Sequence, residues 1–473
     1  MTSTTSPGRR GRRAATTRRA ARWSGALAGL TVAATAALSL LVAPGDTGAT
    51  APAPVHGGQV TDASLGCPGL ASGPHTQTRA AVGSIARTGL SASGVVTAPG
   101  VSGLVRGAWT ALANPAGGAV IRASGPIAAG LFAFRTDTTK STAAVVGCSA
   151  PRAQWWFAGA GAGLDHFSQL TMTNVDTGPA VVDLVVLGPE GEVQTIGTRG
   201  ITIAPGASHT LALSAIAPQT DDLTVGVLAS RGRVVAAVRD RYAKTPGSST
   251  GLEWLAPSQA PARLIRLAGV TGLGAPTVLV ANPASLEAVV SLGFSGPDGR
   301  FTPQGTTTLN VPPGSVRLLT LDKSFLKLIG KKSAAAVVVH ASVPVLATLR
   351  QSAAQDTADA AAVEPITGAA VGPILTGATS TVQLTAERGP ATASLTAYDA
   401  KGAVVARVSL NVPARATVTW TPKKGVYVVV SPSSGSLFGA VTYHRGKGGG
   451  IAVVPLTALV IDRLQPPVAP QFG

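Results

Sequence analysis

The chain has 473 residues, of which 45% are hydrophobic, 4% aromatic and 12% charged, and its formal net charge is +17. This length is enough for three or four domains. Aromatic residues are so few that hydrophobic cores built mainly from aromatic rings are excluded. The positive charge favours contact with anionic polymers or lipid head groups. It does not indicate nucleic-acid binding, because the sequence has no basic helix and no RNA-binding aromatic motif.

The chain begins with a basic N-terminus, residues 1–23, that precedes an apolar run. Seven arginines lie in this segment, and residues 24–43 contain no charged side chain. A helix of twenty residues spans roughly 30 Å, the thickness of the hydrocarbon core of a bilayer. Residues 24–43 are therefore predicted to form a transmembrane or signal helix, with the arginines held in the cytoplasm.

Two fates of this helix are compatible with the sequence. A retained helix would make the protein single-pass, anchored in the cell membrane with its bulk outside. A cleaved signal peptide would be cut after a triplet of small residues that ends at Ala51, and the protein would then be secreted. Both fates place the rest of the chain outside the membrane, after a Pro-rich spacer at residues 44–66.

A short pattern returns four times along the rest of the chain. It consists of a strand that ends in a small residue and a serine, a turn, and a second strand that ends in a cation or His. The steps between the serines are 106, 112 and 89 residues, and a period of this length is a whole small domain. The serines are Ser124, Ser230, Ser342 and Ser431. Tight turns recur in the same phase at Pro99, Pro205, Pro313 and Pro413.

These repeats predict an all-β chain of four tandem Ig-like β-sandwich modules. Residues 151–258 illustrate the pattern, with about seven short strands and turn signals every 8–12 residues or so. The predicted boundaries are 67–150 for module 1, 151–258 for module 2, 259–365 for module 3 and 366–462 for module 4, followed by a tail at 463–473. Linkers rich in Gly, Ser or Ala are predicted at 244–258, 352–368 and 446–454, and one helical turn at 324–330.

The two cysteines, Cys67 and Cys148, lie near the two ends of module 1. Outside the cytoplasm an even pair of cysteines most often forms a disulfide. Closing a loop of this length would add roughly 4 kcal/mol of stability by the chain-entropy estimate. The sequence therefore predicts a disulfide that staples module 1.

The densest aromatic cluster contains Trp155 and Trp156. Exposed indole rings stack well on sugar rings, so the pair is a candidate platform for a carbohydrate ligand. Neighbouring residues of a strand point to opposite faces, however, so at least one of the two is expected to pack in a core or between modules. Ligand contact and packing are both compatible with the sequence.

Arg135, Arg239 and Arg350 recur at the end of the second strand of the pattern, and His444 takes the fourth place. A repeated cation could contact an anionic polymer at regular intervals. The alternative is that each arginine packs its stem and pairs with a local carboxylate or carbonyl. The six histidines show no metal-ligand spacing, no cofactor motif is present, and no residues have the spacing of a catalytic site.

Residues 157–187, with their aromatic residue, Gly-rich stretch and strand-turn, resemble a family of exported, membrane-anchored actinobacterial proteins of unknown function. That family is built from repeated β-sandwich units, and the resemblance covers roughly residues 60–460. Asn282 and Pro283 match its Asn-Pro element, whereas Asn174 is followed by Val and the fourth repeat lacks the element. The shared motifs are structural. The resemblance therefore implies export and β architecture, and assigns no catalytic residue.

The sequence thus predicts an exported, membrane-anchored, non-enzymatic protein of the cell envelope with a binding or structural role. Its expected partners are envelope glycans, anionic polymers or another envelope protein. One alternative is an accessory carbohydrate-binding protein that acts with envelope polysaccharide enzymes. A second alternative is a hydrolase with a site between modules.

Overall fold

The computed structural model describes residues 56–465, apart from gaps at 71–74, 87–88, 244–249, 259, 272–273, 275, 303–307, 322–333, 354 and 447–449. The predicted helix at 24–43, the cleavage point near Ala51, the helical turn at 324–330 and most of the tail lie outside these residues. Within the described part, no helix has the length and hydrophobicity that crossing a bilayer requires. The chain divides into two units, Gly58–Arg463 and Met1–Gly57 with Leu464–Gly473, and the features below belong to the first, apart from the outer residues of the first and last strands.

The described residues are all-β and form several separate sheets, which confirms the all-β part of the predicted fold class. In module 1 the strands form two antiparallel sheets, ordered β2-β6-β4 and β5-β3-β7-β8. The strand β2 begins five residues before the predicted start of the module, inside the predicted spacer. The strands are β1 (His56–Gln59), β2 (Asp62–Cys67), β3 (Gln77–Ser84), β4 (Val95–Thr97), β5 (Trp109–Ala111), β6 (Ala119–Ser124), β7 (Leu131–Thr138) and β8 (Ala143–Gly147).

Module 2 also has two antiparallel sheets, whose inner faces share one apolar core. One sheet is ordered β12-β11-β15-β9 with β13 beside β11, and the other is β14-β10-β16-β17. Buried residues alternate with less buried ones along the first half of β11, as expected when one face of a sheet is covered. The strands are β9 (Gln154–Ala160), β10 (His166–Thr173), β11 (Ala180–Gly188), β12 (Gly191–Glu192), β13 (Ile201–Ile203), β14 (Ser208–Ala212), β15 (Leu223–Arg231), β16 (Val235–Ala243) and β17 (Thr250–Leu255).

Module 3 differs in one continuous strand of 20 residues, β24. Its first half pairs with β20 and its second half with β19 and β25, so a single strand belongs to both layers. The predicted turn after Ser342 is therefore wrong, because the strand continues through this position without a break. The strands are β18 (Ala262–Thr271), β19 (Thr277–Ala281), β20 (Ala288–Gly296), β21 (Gly299–Phe301), β22 (Leu309–Val311), β23 (Val316–Thr320), β24 (Ala334–Ala353) and β25 (Asp356–Val363).

Module 4 returns to two separate sheets, ordered β29-β28-β31-β26-β34 and β30-β27-β32-β33, while β1 and β35 form a two-stranded sheet. The strands are β26 (Ala370–Pro373), β27 (Thr379–Ala386), β28 (Ala391–Tyr398), β29 (Val404–Val412), β30 (Thr417–Trp420), β31 (Tyr427–Ser434), β32 (Leu437–His444), β33 (Ile451–Pro455), β34 (Thr457–Ala458) and β35 (Asp462–Gln465).

The four serines of the sequence pattern lie where the chain crosses from one sheet to the other. In modules 1, 2 and 4 the strand that contains the serine belongs to one sheet and the following strand to its partner. In module 3 the crossing lies within β24, where the pairing partners change. The pattern thus corresponds to one structural event that each module contains once.

The predicted linkers at 244–258, 352–368 and 446–454 are wrong where they include β17, β25 and β33. Each of these strands forms an antiparallel ladder with the preceding strand that carries Arg239, Arg350 or His444. Most of their residues with described side chains are buried. Gly, Ala and Ser therefore serve close packing here, instead of the solvated connection that they usually indicate.

The four modules close into a ring around four of these strands, one from each module. β8 neighbours β17 and β33, and β25 neighbours the same two strands on the other side. Clusters of buried apolar side chains join modules 1 to 2, 2 to 3 and 3 to 4, and the cores of modules 1 and 4 form one continuous cluster. We call the meeting place of β8, β17, β25 and β33 the central junction.

Two glycines allow the strands of the central junction to approach each other. A Cβ at Gly251 of β17 would lie 2.7 Å from the backbone nitrogen of Thr357 in β25. A Cβ at Gly450 would come even closer to the backbone nitrogen of Ala143 in β8. Because the obstructing atoms are backbone atoms of another module, any larger residue at these positions would force the modules apart.

Candidate functional site

Both tryptophans of the predicted carbohydrate platform are buried. Trp155 is 1% exposed, donates its indole N–H to the carbonyl oxygen of Val234 at 2.8 Å, and stacks near Phe157 in the core of module 2. Trp156 is 5% exposed and packs against Leu279 between modules 2 and 3. Neither ring offers an open face to a sugar, because successive strand residues point into a core on one side and an interface on the other. The two tryptophans therefore serve packing and do not form the predicted carbohydrate platform.

The recurring arginines do not form a row of exposed cations. Arg135 is fully buried, and its guanidinium donates to the carboxylate of Asp137 and to the carbonyl oxygen of Leu70 at 3.0 Å. Arg239 is half-buried and donates to the side-chain oxygen of Gln169 at 3.0 Å. Arg350 also has local partners, described below. The three side chains thus follow the alternative of stem packing with local pairing.

The disulfide predicted for module 1 is present. It joins Cys67 at the end of β2 to Cys148, which follows β8. Since β2 and β8 belong to different sheets, the link ties the two layers of the module together. Both cysteines of the chain are thereby used.

One carboxylate of module 3 accepts backbone hydrogen bonds from all three other modules. Asp356, 2% exposed, begins β25 at the central junction. Its Oδ1 accepts from the amide of Leu252 in module 2 at 3.0 Å. Its Oδ2 accepts from the amides of Ala143 in module 1 and Ile451 in module 4, each at 2.9 Å. A single side chain therefore closes the ring with directed bonds.

Burial dominates the ionisation of this junction. It raises the pKa of Asp356 to about 7, although the amide donors favour the ionised form. Burial also raises the pKa of Asp359 to about 6, with Arg350 opposing it. The pKa of Glu253 lies well above its usual range because the carboxyl is buried, with Asp359 and Asp356 adding to the effect. Ionising the central junction therefore opposes folding.

We expect the free energy of unfolding to fall as the pH rises from about 4 to about 7. In this window the folded protein retains a proton on Asp356 that the unfolded chain has lost, so higher pH favours the unfolded chain. A pKa that rises from 3.8 to about 7 corresponds to about 4 kcal/mol. Urea unfolding at pH 5 and pH 8 measures the change. Asp356→Asn should weaken this pH dependence and the exposed Asp62→Asn should keep it, and equal slopes in the two variants would refute the assignment.

A second buried ionic cluster crosses from module 2 to module 3. The guanidinium of Arg350 lies 3.7 Å from the carboxylate of Asp222 and 3.6 Å from that of Asp359, and it also donates to the carbonyl oxygen of Gly159. It stacks over the ring of Tyr242, 4.3 Å from the centroid. Burial alone would lower the pKa of Arg350, but the surrounding carboxylates raise it above its usual value. The cluster holds a cation of one module among anions of both.

A histidine, an aspartate and a serine, the residue types of many hydrolase active sites, lie beside this cluster. Their arrangement is not that of a catalytic site. The imidazole Nε2 of His166 lies 3.1 Å from the carboxylate of Asp240. The hydroxyl of Ser168 donates to the same carboxylate and not to the imidazole. All three residues are at most 1% exposed, whereas a nucleophile needs a base within about 2.6–3.2 Å and an approach for substrate. No set of His, Cys, Asp or Glu in the described residues is arranged to hold a metal ion.

The residues of the central junction escaped prediction because they lie in segments interpreted as linkers. Asp356, Asp359, Glu253 and Trp254 all belong to β17 or β25. The available signal was length. Each of these segments follows the strand that carries Arg239 or Arg350, and its six to eight residues are enough to form a strand. Alanine and glycine concealed it, because neither residue is typical of strands.

One comparison with known families gives a match. The profile of a family described as a family of unknown function, DUF5719, matches residues 119–423, which is more than half of the chain. The matched segment begins at β6 and ends after β30, so it includes β17 and β25 of the central junction. No match was found among curated proteins.

Proposed function

Since the chain belongs to DUF5719, a family of unknown function, we propose its role from its own residues: an exported, membrane-anchored, non-enzymatic protein of the cell envelope. Its four modules are Ig-like sandwiches locked into one body that binds or spaces other envelope components. The partner is an envelope glycan, an anionic polymer or another envelope protein.

The observation that carries the structural half of this proposal is the set of bonds made by Asp356. This carboxylate accepts amide hydrogen bonds from three other modules, so its full set of bonds forms only when all four modules are in place. The guanidinium groups of Arg135 and Arg350 likewise contact carbonyl oxygens or carboxylates of neighbouring strands and modules. The chemistry-bearing side chains of the interior thus serve assembly, which supports a binding body over a hydrolase.

The export half rests on the N-terminal sequence. Seven arginines before an apolar run of twenty residues favour a helix that inserts with its N-terminus in the cytoplasm. The disulfide between Cys67 and Cys148 supports an oxidising location for the modules. The resemblance to exported actinobacterial proteins points in the same direction.

Fractionation of cells that express the full chain with a C-terminal tag tests this proposal. We expect the protein in the membrane pellet after a carbonate wash, and digestion of its modules by protease added to intact spheroplasts. A cytoplasmic marker protein, measured in the same samples, should resist the protease. Full protection of the tag together with recovery in the soluble cytoplasmic fraction would contradict the proposal.

A further inference from the structure

A basic cleft of about 220 Å³ opens where modules 3 and 4 meet. Its apolar surface comes from side chains such as Leu264, Val338 and Phe438. Apolar walls limit the access of water, and charges therefore act more strongly there than on an open surface. Four guanidinium groups and one carboxylate line the same cleft. They belong to Arg266, Arg300, Arg388, Arg415 and Glu387.

The single carboxylate is already engaged. Glu387 Oε1 accepts from Arg266 Nε at 3.0 Å and from Nη2 of the same guanidinium, while Oε2 accepts from the hydroxyl of Ser436 at 2.9 Å. These contacts lower the pKa of Glu387 despite its partial burial, so it is ionised and paired at neutral pH. Arg266 is thereby neutralised, and the other three arginines supply the net charge of the cleft.

None of those three cations forms an ion pair within the described parts of the chain, although the charge of Arg388 helps to lower the pKa of the adjacent Glu387. No ion pair there includes Arg300, Arg388 or Arg415. All three are exposed to solvent, and each comes from a different segment: β21, the turn after β27 and the turn before β30. Cations that converge from separate segments without an anion normally repel one another, so the arrangement leaves room for an external negative charge.

The adjacent strand, β20, leaves space for the side chain of Arg300. A Cβ at Gly293 of β20 would lie 2.8 Å from Nη2 of Arg300. The absence of a side chain at this one position therefore lets the guanidinium lie across the strand toward the cleft. Burial and the charge of Arg300 lower the pKa of His340 on the neighbouring wall, which keeps that imidazole neutral and able to accept or donate a hydrogen bond.

The position of Arg415 is unusual when the four modules are compared. Each module has the same Pro-containing turn, closed by a backbone hydrogen bond between its first and fourth residues. Three modules place glycine at the third turn residue, where φ is positive. These glycines are Gly100, Gly206 and Gly314, with φ of 72°, 72° and 67°. Module 4 places Arg415 there, with φ of 57°.

A side chain at such a backbone conformation costs energy that glycine avoids. Module 4 therefore keeps arginine at a place where the fold itself favours glycine. The side chain lines the cleft. The turn alone does not account for the arginine.

We propose that this cleft binds the phosphate group of an anionic ligand. Guanidinium groups match the geometry of phosphate oxygens, and three unpaired cations suit a group that carries more than one negative charge. The volume lies below the roughly 300–1,000 Å³ of sites that enclose a whole small molecule, so the cleft fits the charged group and leaves the remainder of the ligand outside. The site deepens the binding role proposed above, and it rests on that role.

Calorimetric titration of the purified full chain with inorganic pyrophosphate tests the site directly. Wild type should bind with a stoichiometry of one. Arg415→Gly should weaken binding by about tenfold or more, because one charge-assisted hydrogen-bonding group is removed. The same variant should melt at an equal or higher temperature, since it restores the residue that the turn favours.

Arg199→Gly is the matched control, because Arg199 is exposed, lies in module 2 and removes the same charge. It should bind pyrophosphate as wild type does. A parallel titration with glycerol 1-phosphate distinguishes esterified phosphate from the free anion as the ligand. The proposal fails if wild type binds neither probe, or if the two arginine variants lose affinity equally. Such a failure would leave the fractionation result untouched, so the two proposals are tested separately.

Discussion

Replacing Asp356 with alanine is expected to destabilise the protein by on the order of 5 kcal/mol. The amides of Ala143, Leu252 and Ile451 would lose their acceptor while remaining buried among the four central strands. A buried donor without a partner costs about 1–3 kcal/mol. Urea unfolding followed by circular dichroism measures the loss. It is best measured at pH 5, below the raised pKa of Asp356, where no ionisation cost offsets it.

Glu287→Ala provides the control for this variant, because Glu287 is an exposed acid of the same module. Surface substitutions usually stay within about 0.5 kcal/mol of wild type. If Asp356→Ala behaved like Glu287→Ala, the carboxylate would not hold the modules together. The closed ring would then need another explanation.

Arg135→Met is expected to cost about 3–5 kcal/mol, the range for removing one partner of a buried ion pair. The guanidinium of Arg135 donates to Asp137 at 3.2 Å and lies 5.1 Å from the centre of the Trp254 ring in module 2. Without it, the carboxylate of Asp137 stays buried and loses the guanidinium that hydrogen-bonds to it, which leaves the more distant charge of Arg239. Chemical denaturation of the variant measures this loss.

A second substitution separates charge from packing. Asp137→Asn in the Arg135→Met background removes the buried negative charge, while its amide oxygen can still accept from the indole N–H of Trp254. The double variant should therefore recover part of the lost stability. Arg231→Met, at an exposed position of β15, should change little. A double variant less stable than Arg135→Met alone would show that the buried charge is not the cause.

The strands within each layer of the fold could be predicted from the sequence, because alternating apolar residues and turn signals depend only on residues close together in the chain. The strands of module 2 from β10 to β16 follow such signals closely, with one exception: the apolar segment at 193–196 indicates a strand but forms none, and the short β12 precedes it. The disulfide followed from the count and placement of Cys67 and Cys148. Each of these features depends on residues within one module.

The central junction was not accessible in the same way, because its strands are defined by contacts between modules. β25 contains four alanines and two aspartates, a composition that usually indicates a solvated connection. Asp356 is buried where amides of other modules donate to it, and Asp359 is buried beside Arg350 at the boundary with module 2. The burial of Trp156 has the same origin, since half of its environment belongs to module 3.

Ring closure also changes which cations can meet a ligand. The arginines that recur in the sequence are drawn inward, where strands and modules neutralise them. The unpaired cations lie instead on turns and a short strand at the boundary of modules 3 and 4. Periodicity in the sequence therefore identified residues of the framework, whereas the residue that breaks the turn pattern, Arg415, points to the cleft.

Hydrogen exchange of three amides tests the closed ring most directly. The amides of Ala143, Leu252 and Ile451 lie in three modules and share one acceptor, Asp356. In wild type all three should be strongly protected, and in Asp356→Ala all three should lose protection together. Fast exchange of any of them in the folded wild type, at the rate of an exposed amide, would contradict the ring.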